Sequence, residues 1–101
     1  MLTRNRVLLG GSLAELAPLR YTPAGIAVQE LIISHESQQV ENGTERRVLA
    51  RMKAVAIGKQ ALPLGKLVVG QQLVVKGFLA ATSQRYPDRL ALHIDEYELL
   101  N

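Results

Sequence analysis

The sequence predicts an all-β domain of five strands, with one short helical element between the third strand and the fourth. Two observations lead to this fold class. Apolar and polar residues alternate in five separate runs, which is the period of strands with one buried face. Glycine, proline and polar residues separate these runs and mark turns. About half of the 101 residues are apolar, which suffices for one core and one domain, residues 1–101.

The five predicted strands are separated by recognisable turns. In the first strand, Gly10-Gly11 predicts a bulge or a sharp coil. A polar connection, 35–46, joins the second strand to the third and contains Asn42-Gly43, a strong turn dipeptide. Tyr86-Pro87 lies at the tip of the polar loop 82–89, between the fourth strand and the fifth. The strands are predicted at residues 6–16, 26–34, 47–57, 72–81 and 90–99.

The period changes between the third strand and the fourth. Lys59 to Leu62 can begin a helical turn, and Pro63 and Gly65 keep it short. Three strands, a short helix and two more strands form the order of the OB-fold barrel. An SH3-like barrel or half of a β-sandwich also accommodates strands at this spacing. The helical element favours the OB fold.

Charge is unevenly distributed along the chain. The net charge is +3, yet residues 46–89 hold nine lysines and arginines against Asp88 alone, a local charge of +8. Residues 1–45 and 90–101 carry net charges of −2 and −3. Such a basic segment is typical of a face that binds a polyanion. The alternative is that its basic residues only keep the strand faces soluble.

No residue pattern indicates an enzyme, a cofactor or a metal site. The chain has no cysteine, which excludes disulfides, thiolate catalysis and cysteine-type zinc sites. Gly65-Lys66 resembles the end of a phosphate-binding loop, but Leu67 stands where serine or threonine is required. His35 and His93 lack further ligands at fixed spacing, and His93 is expected to be structural. Because no apolar run is long enough for a membrane span or a signal peptide, we expect a cytoplasmic protein.

Three segments, in chain order, carry a resemblance to a known family. They read RYTPAGIAVQEL (20–31), VAIGKQALPLGKLVVG (55–70) and GQQLVVKGFLA (70–80). Together they resemble bacterial single-stranded-DNA-binding proteins with the OB fold. Two features differ from that family. The chain has no tryptophan, although the family stacks bases on aromatic residues, and it ends in ELLN without the long tail through which those proteins recruit partners.

A short, tailless relative, the primosomal replication protein N (PriB) family, is a nearer resemblance. Its pattern is matched at residues 5–10, 23–26 and 92–99. The resemblance implies a homodimeric OB-fold protein without catalytic activity that assists the restart of stalled replication forks. Its partners would be single-stranded DNA, the PriA helicase and DnaT. Pairing of first strands through Val7-Leu8-Leu9 is one route to the dimer.

Basic residues and two tyrosines are the candidate binding residues. Cations hold the phosphates of a single strand, and aromatic faces stack on its bases. The third strand should present Arg47, Leu49, Arg51 and Lys53 on one face, which contacts DNA in the family. Each candidate has the alternative role of a solvated surface residue, and Tyr86 that of packing on Pro87. The expected single-stranded-DNA-binding residues are Arg20, Tyr21, Arg47, Arg51, Lys53, Arg85, Tyr86 and Arg89.

Aromatic residues are scarce, which limits base stacking. Phe78 and Tyr97 lie inside predicted strands and are expected in the core. Leu49 stands where PriB-like chains can carry an aromatic residue. We therefore expect weak, markedly salt-dependent binding that is dominated by phosphates. The alternatives are a protein-interaction adaptor with vestigial DNA binding and a general single-strand binder. An RNA-binding module of the cold-shock type is disfavoured, because the second and third strands lack aromatic clusters.

Overall fold

Six strands and one short helix make up the structure, a computed structural model that describes residues 1–101. Five of the strands form a closed barrel, and the helix lies between the third and fourth of them, as predicted. The additional strand, β2, is only two residues long. The elements are β1 Val7–Leu16, β2 Arg20–Tyr21, β3 Ala27–Glu41, β4 Thr44–Ile57, α1 Ala61–Leu64, β5 Gln72–Ala81 and β6 Leu90–Leu99.

The barrel closes because β1 pairs with two neighbours in turn. The strand order is β1-β5-β6-β4-β3-β2, and a further pairing joins β1 to β3. Residues 7–12 of β1 pair with β5, and residues 12–16 pair with β3. Gly11 lies at the change of partner, where a Cβ atom would collide with the backbone of β3. The bulge predicted at the glycine pair is wrong, because the register shift lies between Leu13 and Glu15. The glycine instead allows two strands to approach closely.

The hairpin of β3 and β4 continues well beyond the barrel. The two strands pair without a break up to Glu41 opposite Thr44. Asn42 and Gly43 have positive φ angles of 52° and 75°, as in a two-residue type I′ turn, so the turn predicted there is confirmed. The polar connection predicted at residues 35–46 is wrong. Both faces of this part of the hairpin are in water, so its strands need no alternation of apolar and polar residues. Their polar composition therefore reflects exposure to water and does not indicate a loop.

The core fills the interior of the barrel with side chains that alternate along each strand. Met52 and Ala54 of β4 face inward. Ala61 and Leu64 of α1 are fully buried, and α1 packs against β3 and β4. This four-residue helix is neither long nor apolar enough to cross a membrane. The buried cluster consists of Leu13, Ala27, Leu31, Ile33, Ala54, Ala56, Ala61, Leu64, Leu73, Val75, Leu92 and Ile94.

Phe78 departs from the predicted core. Its side chain is 37% exposed and lies on the outside of β5. The reason is the two-residue period of a strand: Leu73 and Val75 face inward, so Gly77 is the next inward residue and Phe78 faces outward. Tyr97 of β6 is half-buried and packs against the core, as expected.

Candidate nucleic-acid interface

The outward row of β4 carries the basic residues that the sequence places on one face. Arg47, Leu49, Arg51 and Lys53 are all exposed, whereas Ala54 is fully buried. β4 lies between β3 and β6 in the sheet. The row therefore runs along the outside of the barrel, from the end of the β3–β4 hairpin toward the middle of the sheet. The predicted placement of these four residues on one face is confirmed.

A groove of about 320 Å³ lies on the outside of the barrel at the end of this row. Outward residues of β3, β4 and β6 form its floor. The segment that contains β2 forms one end, and the start of the loop between β5 and β6 forms the other. The segment that holds Tyr21 and the loop that holds Tyr86, which we call the two clamps, therefore flank one groove, as the binding loops of an OB fold do. Its lining residues are Arg20, Thr22, Val28, Glu30, Lys53, Val55, Ile57, Ala81, Thr82, Ala91 and His93.

Three of the predicted binding arginines are ion-paired to carboxylates of the same chain. The pairs, with their nitrogen-to-oxygen distances, are Arg20–Glu30 at 3.3 Å, Arg47–Glu36 at 2.6 Å and Arg51–Glu15 at 2.5 Å. All six side chains are about half exposed or more, so water screens each pair and none of the pairs adds much to the stability of the fold. The pairs nevertheless neutralise charge that the sequence presents as unpaired. Lys53 makes no ion pair and remains the unpaired cation of the groove floor.

Arg47 and Glu36 also shift each other's protonation. The hydrogen bond that Arg47 Nε donates to the Glu36 carboxylate, together with the positive charge of Arg47, lowers the pKa of Glu36. The same contact raises the pKa of Arg47. The two residues are diagonal neighbours on the hairpin, because Arg47 lies opposite Gln38 and Glu36 lies opposite Leu49. Both side chains therefore stay charged at neutral pH and join β3 to β4.

The loop between β5 and β6 gathers three of the predicted residues into one cluster. The guanidinium carbon of Arg89 lies 4.0 Å from the centre of the Tyr86 ring, and that of Arg85 lies 5.5 Å from it. These are cation–π contacts. Neither arginine belongs to an ion pair. The loop therefore offers two unpaired cations, while Arg89 covers part of the ring that was predicted to stack on a base.

Tyr21 lies at the opposite clamp, in β2. Its backbone pairs with Ala27, and its side chain is 59% exposed. Thr22 stabilises the turn that follows: its carbonyl oxygen accepts a bond from Gly25 N–H at 2.8 Å, and its hydroxyl accepts one from Ile26 N–H at 3.2 Å. Gly25 has a φ angle of 83°, which suits glycine. The turn joins β2 to β3, and Tyr21 stands exposed beside it.

Phe78 and His93 belong to the same surface, and the sequence did not identify them as binding residues. They lie opposite each other on β5 and β6, and their rings stack with centroids 5.1 Å apart and planes 11° apart. His93 also lines the groove. The two-residue period of β5 could have placed Phe78 outside the barrel. Phe78 lies two residues from exposed Lys76 and so on the same face, whereas buried Val75 lies on the opposite face.

The chemistry of this surface is that of binding. The groove and its rim offer unpaired cations, small apolar side chains and a pair of stacked rings, which together suit a flexible polyanion that carries bases. His35, the other histidine, is held in the fold: its Nδ1 lies 2.6 Å from the carbonyl oxygen of Gly10, and its Nε2 lies 2.7 Å from the hydroxyl of Ser37. No three histidine or carboxylate side chains are arranged to hold a metal ion.

Comparison with known sequences agrees with this chemistry. A family model described as "another single-strand binding protein family" matches residues 5–96. The chain is 33% identical over 99 residues to the replication restart protein PriB of Nitrosomonas europaea. The aligned residues cover 98% of this chain and 91% of that protein. It is 34% identical over 103 residues to the replication restart protein PriB of Erwinia tasmaniensis, with 99% and 97% of the two chains covered. The names of these relatives denote proteins of replication restart.

Solved structures show the same likeness at the level of the fold. The chain matches PriB from Ralstonia solanacearum with a TM-score of 0.84 and 32% identity, over 96% of this chain and 98% of that one. It matches the single-stranded DNA binding protein from Thermus aquaticus with a TM-score of 0.76 and 28% identity, over 96% of this chain and 50% of that one. The predicted OB-fold barrel is thereby confirmed.

Proposed function

The chain belongs to the single-strand binding protein family, among its PriB replication restart proteins, and from this premise we propose that it binds single-stranded DNA during replication restart. It acts without catalysis, as an accessory protein of the restart primosome. The observation that carries the proposal is the groove between the two loops. Lys53 lies unpaired on its floor, and the unpaired Arg85 and Arg89 lie in the loop that begins at one end.

The strand is held mainly through its phosphates. Unpaired lysines and arginines bind phosphates directly, whereas an ion-paired arginine must first exchange its carboxylate partner for a phosphate. Aromatic contacts are few: Leu49 presents no ring, and Arg89 covers part of Tyr86. Binding is therefore weak and markedly dependent on salt. The proposed binding residues are Arg20, Tyr21, Arg47, Arg51, Lys53, Arg85, Tyr86 and Arg89.

A salt titration tests this proposal. The anisotropy of a labelled thymidine oligonucleotide is measured at several salt concentrations. For single strands, the slope of log K against log salt is about −0.7 per phosphate neutralised. Contacts through Lys53, Arg85 and Arg89 alone predict a slope of roughly −2 per protomer. High affinity that hardly changes with salt would contradict phosphate-dominated binding.

Two double variants of equal charge separate a local effect from a general one. Arg51→Glu with Lys53→Glu reverses charge on the outward row of β4. Lys59→Glu with Lys66→Glu makes the same change in net charge beside α1, outside the groove. We expect the first pair of changes to abolish measurable DNA binding and the second to retain most of it. Equal losses in both variants would show that only net charge matters and that the groove is not the site.

We also propose the PriA helicase and DnaT as protein partners, and a homodimer as the working unit. The dimer has support in β1. Residues 7–9 pair with β5 on one edge, while the pairing with β3 begins only at Ser12. This leaves a short open edge to which a second copy of the chain can pair. Leu8, on the same segment, is 71% exposed.

A second function, that of a protein-interaction adaptor with little DNA binding, is favoured by one observation. The three ion pairs leave fewer unpaired cations on the sheet face than the sequence predicts. Parallel titrations of the Arg51→Glu, Lys53→Glu variant with DNA and with PriA distinguish the two functions. Loss of DNA binding with PriA binding retained supports the first function. Tight PriA binding by an unmodified chain that binds no oligonucleotide supports the adaptor.

A further inference from the structure

Phe78 is an apolar ring on the outside of a soluble barrel, next to a basic groove. It is the only phenylalanine of the chain, and the register of β5 with β6 places it directly opposite His93. His93 in turn lies opposite Val55 of β4, which lines the groove floor. The phenyl and imidazole rings thus continue the groove floor outward across the sheet toward β5.

The other aromatic rings are less suited to receive a base. Tyr97 packs against the core, and Arg89 lies over the Tyr86 ring at 4.0 Å. Tyr21 of β2 is exposed but stacks on no other ring. Phe78 and His93 are already parallel within 11°, and both are held on paired strands. A base that stacks on them finds a surface that is ordered in advance.

We propose that Phe78 and His93 form the base-stacking platform of this interface. The inference rests on the proposed function, because it names the groups that contact the bases of the strand whose phosphates the cations hold. A base extends the two-ring stack, while neighbouring phosphates reach Lys53 on the groove floor. Stacking of this kind tolerates any base, since every base has a π face. The platform supplies the aromatic contact that a chain without tryptophan otherwise lacks.

A tryptophan reporter tests the platform directly. Phe78→Trp introduces the only indole of the chain and keeps an aromatic ring against His93. We expect a thymidine oligonucleotide to quench its emission as the complex forms. An abasic oligonucleotide of the same length, which offers phosphates but no bases, should leave the emission nearly unchanged. The matched control is Val69→Trp, an exposed position outside the groove, where neither oligonucleotide should quench.

The outcomes separate this inference from the proposed function. Saturable binding, followed by the anisotropy of the labelled oligonucleotide, without quenching at Phe78→Trp would overturn the platform and leave DNA binding intact. Equal quenching at Phe78→Trp and Val69→Trp would also overturn it, because the effect would then not be local. Absence of any binding, by anisotropy and by emission, would overturn both the platform and the proposed function.

Replacement of the ring by an aliphatic side chain gives an independent measurement. Phe78→Leu keeps an apolar residue on β5 but removes the π face, so we expect affinity for the oligonucleotide to fall roughly 5- to 150-fold. The salt slope should stay unchanged, because the number of neutralised phosphates is the same. An unchanged affinity, or a loss accompanied by a shallower slope, would overturn the inference. A melting temperature equal to that of the unmodified chain shows that the barrel is intact.

Discussion

Arg47 reaches from β4 to a carboxylate on the neighbouring strand β3, and Arg51 reaches across β3 to a carboxylate on β1. Each guanidinium is therefore partly neutralised before any DNA arrives. Because these pairs are exposed, they break at little cost, and a phosphate can take the place of the carboxylate. If Arg47 and Arg51 bind phosphates as we propose, their carboxylate partners set how strongly the two arginines contribute to binding. On this proposal, we expect Glu15 and Glu36 to lower the affinity for DNA.

Removal of these carboxylates should strengthen binding. Glu15→Gln together with Glu36→Gln frees Arg51 and Arg47, so we expect affinity for a thymidine oligonucleotide to rise, by up to about fivefold per pair. The salt slope should become steeper at the same time. Anisotropy titration at several salt concentrations measures both quantities.

Glu98→Gln is the matched control for this prediction. Glu98 is an exposed carboxylate of β6 without an ion pair, and its replacement changes the net charge of the chain in the same direction. The prediction fails if a doubly substituted chain binds no better than expected from two changes like Glu98→Gln.

The β3–β4 hairpin has two parts that are stabilised in different ways. Near the barrel, its inward side chains belong to the core. Beyond the barrel, it is a two-stranded ribbon held by backbone pairing, by the Arg47–Glu36 contact and by the Arg46–Glu41 pair at 2.6 Å. A two-stranded ribbon in water is marginally stable on its own. The distal hairpin should therefore open locally, without unfolding of the barrel.

Two glycine-to-alanine changes should distinguish the stability of the distal hairpin from that of the barrel. Gly43→Ala places a side chain at a φ angle of 75°, which costs about 1–2 kcal/mol. We expect amide exchange in the distal hairpin to accelerate roughly 5- to 30-fold, with core amides unaffected. Gly11→Ala drives a Cβ into the backbone of β3, so it should lower the melting temperature of the whole barrel. Faster exchange throughout the core of Gly43→Ala would contradict the local opening.

At the scale of the whole molecule, the open edge of β1 bears on assembly. Leu8→Lys puts a charge on this short edge segment, and edge lysines disfavour pairing between sheets. If two copies pair there, sedimentation equilibrium should show a dimer for the unmodified chain and a monomer for the variant. Leu62→Lys, at an exposed position of α1, is the matched control and should remain dimeric. An unmodified chain that sediments as a monomer at micromolar concentration would contradict the dimer.

The barrel could be predicted from the sequence because its information is local. A two-residue period, a turn dipeptide at Asn42-Gly43 and a short helix between two strands each lie within a few residues of the chain. The length of the hairpin could not be predicted in this way, since its polar ribbon is stabilised by pairing across strands rather than by burial. Phe78 differs from its predicted core position because the preceding inward residue, Gly77, has no side chain to mark the inward face of β5.

The candidate site was predictable only in part. Strand alternation places Arg47, Arg51 and Lys53 on one face without reference to the rest of the fold. Which of them is paired depends on closure of the barrel: Glu15, on β1, lies 36 residues from Arg51 along the chain. The stacked Phe78 and His93 likewise meet only because β5 lies beside β6. Residue type and strand period can be read from a few consecutive residues, whereas the contacts between distant side chains follow from the order in which the strands pair.

The internal ion pairs also bear on how long a contact lasts. In the proposed binding mode, an arginine that releases a phosphate pairs again with its own carboxylate, Arg47 with Glu36 and Arg51 with Glu15. We expect this exchange to speed the dissociation of a strand as well as to weaken its binding. On this proposal, the ion pairs suit transient binding of a single strand better than permanent binding.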